Sequence, residues 1–363
     1  MDLNKSTSRY SGDGVMRYAR TIVAGTVTVL AASASVAADD ASLLKQAEES
    51  FRPLPKHESA SEIPETKERI TLGRLLFFDP RITVDGNMSC ATCHQPALYG
   101  ADGLSKSIGV QQRPHPRNAP TVLNSGVNII VHWRGDRESL EDQAIKALGS
   151  PITNGQPDIG AALDRLKRIA GYAPLFEAAF PGDAASLNVG NVANAISAYE
   201  RTLVTPAPFD AYLAGNVDAQ SPSARGGLED FINFGCTACL NGVGIGGNMY
   251  QKFGIVEDYW TATGSQTVDK GRADVTNNPA DLYFFRVPSL RNVAMTAPYF
   301  HDGSIATLPE AVRVMAGVQL GLTTSEHEVD DIVSFLKSLT GELPSQFATV
   351  PILPPTAVIP AQH

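Results

Sequence analysis

Apolar residues recur at helical spacing in block after block of this chain. From Ala41 to Phe51, and again from Lys67 to Phe78, where Ile70, Leu72, Leu75, Leu76 and Phe77 carry the pattern, the spacing predicts helices. Asp79-Pro80 ends the second, because proline forbids continuation. Glu138 to Leu148, Ile159 to Ala170 and Asn188 to Leu203 repeat the amphipathic pattern. Pro206 and Pro208 mark a junction, after which a helix begins at Ser221 and runs through Leu228 and Phe231 to Cys236. Leu308 to Met315 and Ser325 to Leu339 are the last helices expected. Strand patterns are scarce. Between Gly100 and Pro120 the chain is loop-like and rich in Gly, Pro and Gln, and a loop of that length more often walls a site than merely connects elements. The prediction is a mostly α protein of two related helical domains, residues 39–205 and 206–345, packed around an interdomain region. A Pro-rich tail, 346–363, is expected to lie extended on the surface or to be disordered.

With 363 residues, each of two domains can bury its own core. A formal charge of −9 argues against non-specific nucleic-acid binding and leaves room for a basic protein partner. Arg17 and Arg20 precede an apolar run from Thr21 to Ala38 with small residues at Ser35, Val36 and Ala37. That is the layout of an export signal over residues 1–38, starting at Met1 or Met16, with the mature chain beginning near Ala38 or Asp39. A permanent anchor is the alternative, and the run is short for a spanning helix.

All four cysteines sit in two Cys-x-x-Cys pairs. Cys90-Ala-Thr-Cys93 is followed at once by His94. Two thiols at that spacing can add to the two vinyl groups of one haem while the adjacent imidazole reaches the iron, so the motif predicts a covalently held c-type haem. In an oxidising compartment the alternatives are short disulfides or a thioredoxin-like redox site. For Cys90 and Cys93, the adjoining histidine and the lack of a βαβ pattern speak against both. Cys236-Thr-Ala-Cys239 repeats the spacing, but Leu240 stands where the histidine would be, and there the alternatives stay open.

Arg117-Asn-Ala-Pro-Thr-Val-Leu-Asn124, the Trp133 segment, and Val287-Pro-Ser-Leu-Arg-Asn292 through Tyr299-Phe-His-Asp-Gly303 accompany the Cys90-to-His94 block. In that order, over almost the whole mature chain, they resemble the bacterial dihaem cytochrome c peroxidase family. The resemblance implies two c-type haems in two cytochrome-c-like helical domains, a periplasmic location and a calcium ion between domains. It also implies reduction of hydrogen peroxide to water with electrons from a small redox protein, a cytochrome c or a cupredoxin, in a chain that often forms a homodimer. Carried over by position, Cys90 and Cys93 attach the peroxide-reacting haem, with His94 as its proximal ligand. Cys236 and Cys239 attach the electron-accepting haem, and Met315 is its distal ligand. Trp133 falls between the haems, Gln143 belongs to the peroxide pocket, and Asp158 falls near the catalytic carboxylate. Asn118, Thr296 and Pro298 bind the calcium. Several of these residues also have a plainer reading. Asp158 precedes an apolar helical run as an N-cap does, Gln143 suits an exposed helix face, Trp133 and Met315 suit packing, and Asn118 suits a turn cap.

Two departures from the family pattern stand out. Many members carry Ser-Ile-Gly-His on the loop that blocks the peroxide-reacting iron, where this chain has Ser107-Ile108-Gly109-Val110. Valine has no lone pair, so the iron is expected to be open in the resting ferric protein. His115 on the same loop is a possible substitute. At Leu240 an isobutyl group cannot ligate iron, so the second haem attaches with Met315 and some other ligand, attaches poorly, or is missing. His301 and His327 are the candidate replacements. Two other readings remain: a dihaem oxygenase acting on a protein substrate, whose members carry tyrosine where this chain has Met315, and a one-haem carrier or sensor.

Overall fold

The computed structural model describes Met1 and residues 40–55 and 64–357. Apart from Met1, the expected export signal lies outside the described residues. The chain divides into a short leading unit, Met1–Gln46, and a main unit, Ala47–His363. Residues 40–50 are helical.

In the main unit the long helices start where a side chain can take up a free backbone N–H. Helix α1 (Lys67–Phe78) is capped by Thr66, α2 (Leu140–Leu148) by Ser139, α3 (Ile159–Lys167) by Asp158 and α4 (Val189–Glu200) by Asn188. Ser221 caps α5 (Pro222–Asn233), Thr307 caps α6 (Leu308–Met315), and Ser325 caps α7 (Glu326–Lys337), the last as a reciprocal box with Glu328. The expected starts hold to within about two residues, the usual scatter of helix boundaries. The expected ends at Ala170, Leu203 and Leu339 overshoot. At Ile169 the backbone turns extended, and the apolar residues beyond it belong to a separate 3-10 turn, Ala170–Tyr172.

One packing device occurs twice. Helices α1 and α4 cross so closely that a Cβ on Gly73 would overlap the Ala195 carbonyl. In the same way α5 meets α7 at Gly227, where a Cβ would overlap the Asp331 carbonyl. Around the first crossing, Leu72, Leu76, Val192, Ile196, Tyr172 and Phe176 form a buried cluster. Around the second, Phe51, Phe209, Phe231 and Phe335 pack ring to ring with centroids 5.2–6.4 Å apart. Each buried side chain of this size contributes about 1.5–3 kcal/mol by leaving water. The regular strands described are β1 (Tyr250–Lys252) and β2 (Phe284–Arg286), paired antiparallel with Tyr250 opposite Arg286. That agrees with the scarcity of strand patterns.

Polar contacts join the two halves of the main unit. Arg117 makes a two-pronged bond to Asp269 at 2.7 and 2.9 Å. Fully buried Asn124 exchanges hydrogen bonds with Thr205, whose hydroxyl also accepts from Asn292 Nδ2 at 2.8 Å.

The tail departs from the expectation at its start, whereas residues 349–357 lie without helix or strand and mostly exposed, as expected. Ser345–Ala348 is a helical turn and Phe347 is fully buried, its ring 6.2 Å from Phe77 and 6.5 Å from Phe78. Arg74 Nε donates to Gln346 O, and the N–H groups of Ala170 and Gly171 donate to Thr356 O and Pro355 O. The tail through residue 356 therefore straps the N-terminal half. Proline content suggested a tail extended on the surface or disordered, and Phe347 is the aromatic anchor that pattern did not show.

Candidate haem sites

The first site is a single helical turn, Cys90–Cys93, entered through Ser89, whose N–H donates to Thr92 Oγ1 at 2.9 Å. His94 leaves this turn with its N–H on Cys90 O at 2.9 Å. Its Nδ1 lies 3.0 Å from Gly100 O, with the Pro120 backbone as a second hydrogen-bond partner of the ring; the Gly100 contact assigns Nδ1 as a donor and so gives Nε2 the lone pair. Gly100 adopts φ +76°, and a Cβ there would come within 2.9 Å of Thr121 Oγ1, so the acceptor carbonyl depends on glycine. Burial pushes the His94 pKa down, keeping the imidazole neutral as a metal ligand requires.

Burial also pushes the Cys90 thiol up to about 12, with Glu200 adding to the effect, and the Cys93 thiol up to about 11. A redox-active Cys-x-x-Cys works through a lowered thiol pKa, so the shifts run against a thioredoxin-like site. The donor set fits a covalent haem: neutral thiols for the vinyl groups and a tautomer-locked imidazole for the iron.

Around this site, Val110 turns inward. It is buried, its N–H bonds Ile152 O at 3.0 Å, and its Cγ2 lies 3.0 Å from where a Cβ on Gly155 would stand. Gln143 is half-buried with its Oε1 inaccessible and without a hydrogen bond, as are His115 Nε2, Ser107 Oγ and Asp102 Oδ2. Sequence reasoning named Ser107 only as the start of the Ser107–Val110 run and passed over Asp102, which carries no motif. Asp158 is exposed, and its Oδ1 accepts from Ala161 N–H at 3.1 Å. Of its two readings, the helix cap is the one with geometry behind it. Glu200 also went unforeseen: it is buried beside Arg201 and Glu141, and burial raises its pKa to about 8.

The second site opens on a cavity of about 420 Å³ lined by Cys236, Cys239, Leu240, Met315, Trp133 and Arg286 among others. Gly235 at φ +83° starts the turn, and burial raises Cys236 to about 11. Met315 ends α6 just before a wide π turn, Ala316–Leu320, a distortion often found at functional sites. Arg286 is 4% exposed, bonds only oxygens of His132, Asn128 and Val287 among the described residues, and has its pKa lowered by burial to about 10. A buried guanidinium without a carboxylate partner is costly unless an anion joins it, and the propionates of a haem would do so. The cavity thus fits a haem in its sulfurs, its thioether and its buried cation, and departs from one only at Leu240.

Asn118, Thr296 and Pro298 each line the same cavity. Trp133 Nε1 donates to Asn118 O at 3.0 Å, and its ring faces His301 edge-on at 6.4 Å. Of the two histidines considered for Leu240's role, His327 is corrected outright: its side chain is 86% exposed and lies 3.3 Å from Asp331. His301 does line the cavity, but its ring is stacked on Phe285 at 4.4 Å. Among the described residues, no helix is long and apolar enough to cross a membrane.

The family model for di-haem cytochrome c peroxidase matches residues 67–218. The chain is 39% identical to cytochrome c551 peroxidase of Nitrosomonas europaea over 297 residues, 81% of this chain and 85% of that one. It is equally 39% identical to cytochrome c551 peroxidase of Pseudomonas aeruginosa over 314 residues, 85% and 89% of the two chains. Among solved structures, a MauG-like protein associated with microbial copper homeostasis superposes with a TM-score of 0.71 at 28% identity, covering 82% of this chain and 97% of its own. With the locked His94, the paired sulfurs and the mostly helical fold, these likenesses place the chain in the di-haem cytochrome c peroxidase family, a family of c-type haem peroxidases.

Proposed function

We propose that this chain reduces hydrogen peroxide to water in the periplasm, each peroxide taking two protons and two electrons, at the haem attached to Cys90 and Cys93. The carrying observation is the first socket, where His94 Nε2 is free for the iron and Val110, at the position of the family's blocking histidine, is packed into the protein. When bound, the haem supplies the redox-active iron that accepts peroxide. The chain's own residues do the rest. His94 would hold the metal as a neutral ligand whose orientation the Gly100 carbonyl sets. Gln143, with a buried amide oxygen in want of a partner, orients the peroxide and its protons. Met315 serves the C-terminal socket, where electrons from a cytochrome c or cupredoxin enter. Trp133, on the wall of that socket, would pass those electrons towards the first. Asn118, Thr296 and Pro298 offer neutral oxygens suited to a calcium ion whose other positions are filled by water.

Steady-state peroxide consumption with a reduced small cytochrome c tests this. Turnover is expected in the parent and its loss in His94→Gly, with partial return on adding imidazole. Absence of turnover in a parent that carries the first haem would favour a carrier or sensor. The resemblance to the dihaem oxygenases keeps a second enzyme reading, oxidation of a protein substrate at a distance. A long-lived oxidised state after peroxide, unquenched by the donor, would favour that one.

A further inference from the structure

The two Cys-x-x-Cys turns match each other down to single hydrogen bonds. His94 N–H reaches Cys90 O at 2.9 Å and Leu240 N–H reaches Cys236 O at 3.0 Å. Gly100 N–H reaches Gln95 O and Gly246 N–H reaches Asn241 O, both at 2.8 Å. Residue 240 therefore holds the place in its socket that residue 94 holds in the first, and Gly246 holds that of Gly100. In the first socket the imidazole bonds the glycine carbonyl. In the second, the Leu240 side chain lies over the glycine, with Cδ2 3.3 Å from where a Cβ on Gly246 would stand.

The two side chains differ in reach. Leucine ends at its Cδ methyls, whereas histidine continues to Cε1 and Nε2, the atoms that meet a metal. With a haem in place, leucine instead of histidine would leave unfilled the volume of those two ring atoms, about that of a diatomic molecule, bordered by the Leu240 methyls. Methyls offer no hydrogen bond to water or an anion, while a neutral diatomic needs none. Other polar groups on the cavity wall are engaged elsewhere. Gln251 Nε2 points at Cys239 Sγ at 3.5 Å while its Oε1 accepts from Lys252 N–H. Gln319 bonds Gly254 and Lys252. His301 keeps a buried Nε2 without a hydrogen bond, but its ring is stacked on Phe285 and set edge-on to Tyr259, with Nε2 3.9 Å from Asp269 Oδ2.

We propose that the C-terminal socket of this chain holds its haem iron through Met315 alone and that the face beneath Leu240 is a binding site for a neutral diatomic ligand such as carbon monoxide or nitric oxide. This rests on the haem-family reading of the second cavity and goes beyond peroxide reduction at the first. It gives the electron-accepting centre a ligand that would compete with its role as a relay, since a diatomic bound to ferrous iron holds the electron there.

The test uses the full chain, with haem content fixed by mass spectrometry, reduced with dithionite and titrated with carbon monoxide. Bound gas is counted by photolysis difference spectra. The parent is expected to bind one more carbon monoxide per chain than Leu240→His, whose second haem gains an axial nitrogen and turns low-spin in the ferrous state. In Leu240→Gly, free imidazole is expected to induce the same low-spin shift, because the Gly246 carbonyl is then exposed to accept its N–H. The proposal is overturned if parent and Leu240→His bind equal amounts of gas, or if the parent carries the mass of one haem. The open first site is judged separately by the gas that Leu240→His still binds, so failure of one reading does not conceal the other.

Discussion

Glu200 is the residue whose state depends most on its surroundings. It ends α4, where the helix dipole disfavours a negative charge, and burial, with Glu141 adding to it, outweighs Arg201 and raises its pKa to about 8. A carboxyl whose folded pKa lies above its unfolded value of about 4.3 favours folding most at low pH, and that advantage is lost as pH climbs to the folded value. Glu200→Gln is therefore expected to match the parent in Tm near pH 4.5 and to exceed it by on the order of a few degrees near pH 8.5, as thermal melts across pH would show. A constant offset would contradict the assignment. Asp158 offers the reverse case. Asn caps as well as Asp, so Asp158→Asn should leave peroxide turnover within about twofold, while Asp158→Ala should cost about 1 kcal/mol of stability in denaturant melts. A large loss of turnover in the Asn variant would restore the catalytic reading. Cys90, Cys93 and His94 were legible because haem attachment demands those residue types at that spacing. Glu200 was not, because its burial comes from how α4 packs and from no local pattern.

At the scale of elements, helix starts were readable from single residues, Thr66, Ser139, Asn188, Ser221 and Ser325 each standing just ahead of an apolar run. Ends were less so, since apolar spacing continues through turns that are no longer α-helical, as at Ala170–Tyr172. The tail escaped for a different reason. The niche for Phe347 is assembled from Phe77, Phe78 and Tyr199, remote in sequence, and no pattern within 346–363 announces it. Phe347→Ala is expected to destabilise the protein by about 3–5 kcal/mol in urea unfolding, as loss of a fully buried ring does. A loss below about 1 kcal/mol would mean that the tail does not strap the N-terminal half.

Across the whole molecule, two half-chains of common design carry different chemistry. Both have a glycine-mediated helix crossing and a Cys-x-x-Cys turn, but after the second cysteine the first turn continues into His94 and the second into Leu240. The repeat was visible in the cysteine spacing; Gly73 and Gly227 gave no sign of their role, because a close crossing has no signature apart from the partner it meets. The central claim is that the first iron is held by His94 alone and is open to an oxidant in the resting state. Stopped-flow mixing of the fully oxidised Leu240→His protein with hydrogen peroxide tests it most directly, since there the introduced imidazole is expected to close the second haem. An immediate change in the Soret band without prior reduction, from one haem per chain, is the predicted result. No change until an electron is supplied would show that some other group, such as His115, closes the site, and would contradict the account.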